Sequence, residues 1–321
     1  MGRRRGARRP DRFHGVVVIN KPTGPTSAGC VNQIKRIFDQ GKVGHAGTLD
    51  PMASGVLVVL LGRGTKIASY VSGGYKIYRG ELMLGQTTDT YDTEGTITAT
   101  APWEHITAAE AEAAVLAWNE TTEQEVPPYA AAKHEGQPLY KIARQGGDVP
   151  VKTKHIVVSE AEVLSMDLPR IHFRVRVSPG TYIRSLVHSL GMRLSCGAVM
   201  TALTREYSHP FALDHAHELD VLAANPETVA EAVIPMADAL PHWPRFVVST
   251  AQADMVRNGK WLDVVKTPPL EAPRVPGGPC ESDGDDAVRA LCLDENGEAL
   301  AMVERQLQDG VERWAILRGL W

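Results

Sequence analysis

The amino-acid sequence predicts a mixed α+β fold that ends in a small β-rich domain. Three observations carry that reading. Apolar runs of strand length, such as Gly15–Asn20 and Val56–Leu61, are separated by helical patterns. Residues Arg170–Val177 alternate cleanly, with Ile171, Phe173, Val175 and Val177 on one face and Arg170, His172, Arg174 and Arg176 on the other. Beyond Pro241 and Pro244 the pattern changes to short strands with a hairpin signal. A chain of 321 residues has room for about two domains. The expected division is a disordered basic tail over 1–14, a main domain over 15–245 and a β domain over 246–321.

Taken in order, Gly15–Asn20 reads as a buried strand. Lys21-Pro-Thr-Gly-Pro-Thr-Ser27 is a loop, because each proline fixes φ and biases the residue before it away from helix. Thr26 or Ser27 can cap a helix whose Val31, Ile34 and Phe38 share a face and which Gly41 ends. Gly44–Pro51 is a second loop, followed by a strand over Val56–Leu61 and a short helix over Thr65–Val71. Tyr75–Leu84 alternates as a strand, and Ala108–Trp118 is an Ala/Glu-rich helix. Residues 119–155 are mostly loop, with a short helix near Tyr140–Arg144. Ser178-Pro-Gly-Thr181 turns into a helix with an apolar stripe of Ile183, Leu186, Val187 and Leu190. Val221–Ala232 and Met236–Leu240 read as helical. The C-terminal part holds a strand at Phe246–Val248, a helix over Ala251–Asn258 and a Pro/Gly/acidic loop over 267–287. Strands over Val288–Leu293 and Ala299–Arg305 flank the turn Asp294-Glu-Asn-Gly297, and Trp314–Leu317 is a last strand.

Composition narrows the class. With 43% hydrophobic and 22% charged residues, the chain is an ordinary globular one. Val56–Leu61 is far shorter than the ~18–20 apolar residues of a membrane span. Val16–Ile19 is too short for the ~7–15 residue core of a signal peptide. Cysteines 30, 196, 280 and 292 have no C-x-x-C spacing, so neither a disulfide scaffold nor a zinc site is expected, and the reducing cytoplasm is the expected location. The net charge of −4 conceals segregation: residues 1–14 carry +5, and residues 246–321 carry −5. Residues 81–132 hold ten acids and no Lys or Arg, whereas residues 133–205 carry a local +6. A polyanion would have to read that belt. Gly62-Arg-Gly-Thr-Lys66 lacks phosphate-loop spacing, Asp89/Asp92/Glu94 lack calcium-loop register, and Asp214, His215 and His217 lack a further metal partner. No cofactor is expected.

What remains is chemistry placed in Gly/Pro-rich loops. The segments are Gly15-Val-Val-Val-Ile-Asn-Lys-Pro-Thr-Gly-Pro-Thr-Ser27, Lys42-Val-Gly-His-Ala-Gly-Thr-Leu-Asp-Pro-Met-Ala-Ser-Gly-Val-Leu57 and Ser178-Pro-Gly-Thr-Tyr-Ile-Arg-Ser-Leu186, with Lys76–Gly95 between the last two. Together they resemble the bacterial TruB-type tRNA pseudouridine-55 synthases from about Gly15 to Leu213, and the C-terminal 75 residues more weakly resemble that family's PUA-like RNA-binding domain. The resemblance implies a pseudouridine-synthase core, a large mostly antiparallel sheet flanked by helices. It also implies an isomerase that converts a uridine of the tRNA T-loop, at position 55, to pseudouridine.

The reaction breaks N1–C1′, rotates the base and forms C5–C1′. It needs a group that can trap or stabilise developing positive charge on the sugar, as in glycoside chemistry. Asp50 matches the family's catalytic aspartate, and Pro51 keeps it out of helix so that its carboxylate projects from a loop. Arg184 matches the arginine that pairs with that aspartate and keeps it ionised. Tyr78 matches the tyrosine that stacks on the target base; it also shares a strand face with Leu82 and Leu84, as a core tyrosine would. His45 matches a histidine that fills the stack position a flipped uridine leaves. Lys21, Pro22, Tyr182 and Leu203 match pocket-lining positions, Lys21 orienting either the loop or RNA phosphates. Pro179 stands where the family often has Lys, which shifts expected RNA contacts to Arg174, Arg176 and the tail. Ala46 stands where Thr is frequent. The implied partner is tRNA through its T-arm, with the protein a monomer that requires no protein partner and no membrane. Two other readings compete: an RNA-binding folding chaperone in which catalysis is secondary, and a guide-RNA-dependent synthase subunit.

Overall fold

The structure, a computed structural model, describes residues 11–268 and 288–321. The expected basic tail falls largely outside the described residues, as does most of the 267–287 loop. In chain order the principal elements are β1 (Gly15–Lys21), α1 (Ser27–Ile37), β2 (Val43–Ala46), β3 (Ser54–Leu61), β4 (Lys76–Leu84), α2 (Ala108–Leu116), β5 (Val158–Asp167), β6 (Arg170–Val177), α3 (Ile183–Arg193), β7 (Ala198–Ser208), β8 (Arg245–Val247), α4 (Thr250–Arg257), β9 (Arg289–Leu293), β10 (Ala299–Gln308) and β11 (Val311–Gly319). The class is mixed α+β with a large, mostly antiparallel sheet and a C-terminal β sheet.

Two compact units emerge, one of Met1–Pro51, Gly55–Gly74 and Ser208–Trp321, the other of Met52–Ser54 and Tyr75–Tyr207. In the first, β1 runs antiparallel to β3 from Gly15↔Leu61 to Lys21↔Gly55, and β2 pairs antiparallel with β3. β1 also pairs with His217–Glu218 in parallel. Their apolar side chains leave water almost completely: Val16, Val18, Val56, Val58 and Leu60 pack in one cluster with Trp243, Leu291, Met302 and Leu320. That shared core is why 208–321 falls in one unit with the N-terminal strands, a division different from the expected boundary at 245/246. The C-terminal segment still forms its own five-stranded sheet, in the order β8, β9, β10, β11, Leu262–Asp263. A second core of Phe246, Ala253, Val256, Val303 and Trp314 lies against it. The hairpin expected at Asp294–Gly297 joins β9 to β10, with the Asp294 N–H donating to the Glu298 carbonyl at 3.0 Å. Gly297 supplies the φ of +79° that a side chain would strain.

The second unit contains four neighbouring strands in the order β5, β6, β4, β7. β4 and β6 are antiparallel, with Tyr78 opposite Val175 and Lys76 opposite Val177. Gly80 faces Phe173, which is fully buried and edge-on to Trp118 at 5.1 Å. A Cβ on residue 80 would lie 2.5 Å from the ring. Gly80→Ala should therefore cost about 1–3 kcal/mol by overpacking. A urea midpoint unchanged from wild type would contradict this packing.

Four readings need correction. Helix over 221–232 shortens to Leu219–Ala224, and Met236–Leu240 is not helical. Pro226 disfavours helix at Asn225, and the segment between Pro235 and Pro241 is too short to nucleate one. The expected Thr65–Val71 helix opens as a 3₁₀ turn over Gly62–Ile67 before helix Ala68–Ser72. Gly44–Pro51 is not wholly a loop, because Val43–Ala46 adds to the side of β3.

Candidate active site

In the first unit, three contacts fix the turn that carries Asp50. Thr26 rather than Ser27 caps α1, its hydroxyl accepting from the Gly29 N–H at 3.0 Å. This frees Ser27, whose buried hydroxyl donates to the Leu49 carbonyl at 3.0 Å and accepts from the Leu49 N–H at 2.9 Å. On the other side of Asp50, the Pro51 carbonyl accepts from the Gly24 N–H at 2.8 Å and from Lys21 Nζ at 3.2 Å. Lys21 also donates to the Pro22 carbonyl at 2.9 Å. Loops 21–27 and 47–51 are thereby stitched together around a half-buried Asp50, the rigid setting that a reacting carboxylate requires. Of the two roles expected for Lys21, the structure supports the loop: its side chain is fully buried, so it does not reach RNA phosphates. Pro22 is exposed, and His45 is half-buried on β2, opposite Val59.

In the second unit, Tyr78 is buried on β4, on the same face as Lys76, Leu82 and Leu84. Leu203 is buried on β7. Burial, followed by repulsion from Arg205 and Lys154, lowers Lys76 to about 7. Arg184, on the first turn of α3, is only 5% exposed. It donates through Nη1 to the Thr90 carbonyl at 2.8 Å and through Nη2 to the Tyr129 carbonyl at 3.2 Å. Its Nε lies 3.6 Å from Asp92 Oδ2. Asp92 is itself set by the Thr90 hydroxyl at 2.5 Å and the Glu94 N–H at 3.1 Å, both donating to Oδ1. Tyr182 begins α3, and Gln124 brackets its backbone, accepting from the N–H at 2.6 Å and donating to the carbonyl at 3.2 Å.

Asp92 and Gln124 are the two residues that sequence reasoning missed. Asp92 lies within Lys76–Gly95, where its spacing from Asp89 and Glu94 shows only an off-register calcium-loop pattern. Its neighbour Asp89 accepts from the Thr96 N–H and the Tyr129 hydroxyl, so these acids build a loop. Among the described residues no cluster of three His, Cys, Asp or Glu could hold a metal, and no helix is long and apolar enough to cross a membrane.

The basic belt is largely engaged from within. Glu81 faces Arg170 at 2.5 Å and His172 at 3.3 Å. Hydrogen bonding from Thr201, then from Arg170, holds the Glu81 carboxyl below its ordinary range. Arg174 pairs with Glu206 at 2.8 Å, and the Arg176 guanidinium lies 3.8 Å over the Tyr75 ring. The RNA contacts expected of Arg174 and Arg176 would therefore compete with these partners.

Two half-buried histidines give a pH prediction. Burial holds His188 and His242 below the ordinary imidazole range, and His242 Nδ1 is 3.2 Å from His209 Nε2. Below about pH 6.5 the unfolded chain takes up protons that the folded state resists. The contribution of these groups to stability is complete above that pH and falls as the pH is lowered through it. Thermal midpoints at pH 7.5 and 5.5 should show the loss, and His242→Gln should reduce it; equal sensitivity in the variant would contradict the assignment.

A model of the TruB family pseudouridylate synthase N-terminal domain matches residues 35–183. The chain is 53% identical over 313 residues to tRNA pseudouridine synthase B of Nitratidesulfovibrio vulgaris (strain Hildenborough), covering 97% of this chain and 99% of that protein. Against tRNA pseudouridine synthase B of Oleidesulfovibrio alaskensis the identity is 52%, with 96% of each chain covered. Among solved structures, the archaeal box H/ACA sRNP Nop10-Cbf5 complex contains a similar fold, with a TM-score of 0.69 at 23% identity over 98% of this chain and 92% of that one.

Proposed function

Because the chain belongs to the TruB family of pseudouridylate synthases, we propose that it acts alone on the T-loop of tRNA, at position 55, with Asp50 as the nucleophile. The protein is an isomerase that converts uridine in tRNA to pseudouridine. The observation that most supports the role of Asp50 is the clamp on its turn by Ser27, Gly24 and Lys21. The Asp50 carboxylate attacks the sugar as N1–C1′ opens, the base rotates, and C5–C1′ forms as the aspartate leaves. N1 gains a proton and C5 loses one, so the net change is an isomerisation. Arg184 supplies the positive charge that pairs with the carboxylate, Tyr78 stacks on the base, and His45 fills the place the base leaves in the RNA stack. Pro22, Tyr182 and Leu203 line the pocket, and Lys21 holds the loop that frames it. Residues 246–321 add RNA contacts as a PUA-like domain, and the enzyme works in the cytoplasm.

Loss of the C5 proton supplies the test. Pure protein incubated with T-arm RNA carrying tritium at uridine C5 should release tritium to water without any other protein or guide RNA. Absence of release from a folded, RNA-bound protein would overturn the proposal.

A further inference from the structure

Tyr91 stands between two residues that Arg184 contacts, Thr90 through its carbonyl and Asp92 through its carboxylate. Its backbone has a φ of +65°, a left-handed conformation that is costly for a bulky side chain. The other described non-glycine residues with such a φ are Asp39, Glu135, Ser195 and Asp309, none of them aromatic. A tyrosine held this way needs a compensating contact, and α3 supplies it. The His188 ring lies face to face with the Tyr91 ring, the centroids 3.8 Å apart and the planes 9° from parallel. Burial holds His188 below the ordinary imidazole range, so two uncharged rings stack at neutral pH. His188 follows Arg184 by four residues, about one helical turn, so both project from the same side of α3. Helix and loop are thus joined by two rungs, Arg184 to Thr90 and Asp92, and His188 to Tyr91. Backbone bonds tie the same loop to β7: the Met200 N–H donates to the Tyr91 carbonyl and the Thr93 N–H to the Met200 carbonyl, each at 3.1 Å. Those bonds set the loop on the sheet; the stack sets its spacing from α3.

We infer that Tyr91 and His188 are positioning residues: their stack fixes the spacing of loop and helix that aims the Arg184 guanidinium, and so governs the rate of the glycosidic step rather than the affinity for RNA. This rests on Arg184 serving the reacting carboxylate, as proposed above. Neither ring has to touch the substrate, because a small displacement of a group that does is enough to slow the chemistry.

The test uses the full-length protein and unmodified tRNA. Single-turnover conversion by Tyr91→Ala or His188→Ala at saturating tRNA should be about tenfold slower than wild type or worse, with Kd for tRNA within about threefold. Tyr91→Phe keeps the ring and should restore the rate to within about threefold. Tyr91→Gly removes the ring and also the left-handed strain. It should resist urea at least as well as Tyr91→Ala and yet be as slow, whereas a merely structural role would let rate recover with stability. The double variant Y91A/H188A should be no slower than the slower single one, because the stack is already lost. NMR of the Arg184 Nε–H without RNA should show solvent exchange about tenfold faster in either alanine variant than in wild type. Rate losses that multiply in the double variant, a wild-type rate in Tyr91→Gly, or unchanged Arg184 exchange in both alanine variants would overturn the inference. An inactive wild type would overturn the catalytic proposal and not the brace, which the exchange measurement judges without RNA.

Discussion

Asp50→Asn is expected to fold, bind tRNA and form pseudouridine at least about 10⁴-fold more slowly than wild type, the scale on which removing a nucleophile acts. The replacement keeps the shape of the side chain and removes its charge and nucleophilicity. The turn is held through Leu49 and Pro51 backbone atoms, by Ser27, Gly24 and Lys21. Thermal stability and tRNA affinity should stay close to wild type while single-turnover conversion is lost. Turnover above about one per cent of wild type would remove Asp50 from the nucleophile's role.

The second large effect is at Arg184. Its guanidinium reaches two carbonyls and Asp92 in different directions, and both side chains of the ion pair are nearly fully buried. Arg184→Met leaves Asp92 charged and buried beside an apolar chain, which should cost about 3–5 kcal/mol of stability. Arg184→Lys keeps the charge but cannot reproduce the three-way geometry. It should recover part of the lost stability while turnover stays depressed by about 10²-fold or more. Chemical denaturation and single-turnover rates separate the two effects. A lysine variant that restored rate along with stability would show that Arg184 acts through its charge alone.

The parts of this molecule legible in the sequence are those governed by local rules. Arg170–Val177 alternates because one face of β6 packs inward, and its observed bounds match the expected ones. The Asp294–Gly297 hairpin follows from turn chemistry that is local to four residues. β5 and β7 were not legible. β5 breaks register twice against β6, which scrambles its alternation, and β7 opens with Ala198, Val199 and Met200 all buried, so no polar face marks it as a strand. At the site, Asp50, Tyr78 and Arg184 were reached only through the family resemblance of their motifs, and their supports bridge long sequence distances. Ser27 bonds Leu49, and Gln124 brackets Tyr182 from 58 residues away. No spacing rule announces a Gln that serves only the backbone of a distant helix start. Lys21 shows the opposite difficulty: a lysine in a Pro/Gly loop reads equally as a phosphate contact or a loop anchor, and only its burial distinguishes them.

The most direct measurement is single-nucleotide mapping of pseudouridine in unmodified tRNA after incubation with the pure wild-type protein and, in parallel, with Asp50→Asn. The account predicts conversion at position 55 of the T-loop by the wild type, without any added protein or guide RNA, and none by the variant. Conversion by both proteins, or by the wild type only at a uridine outside the T-loop, would contradict it.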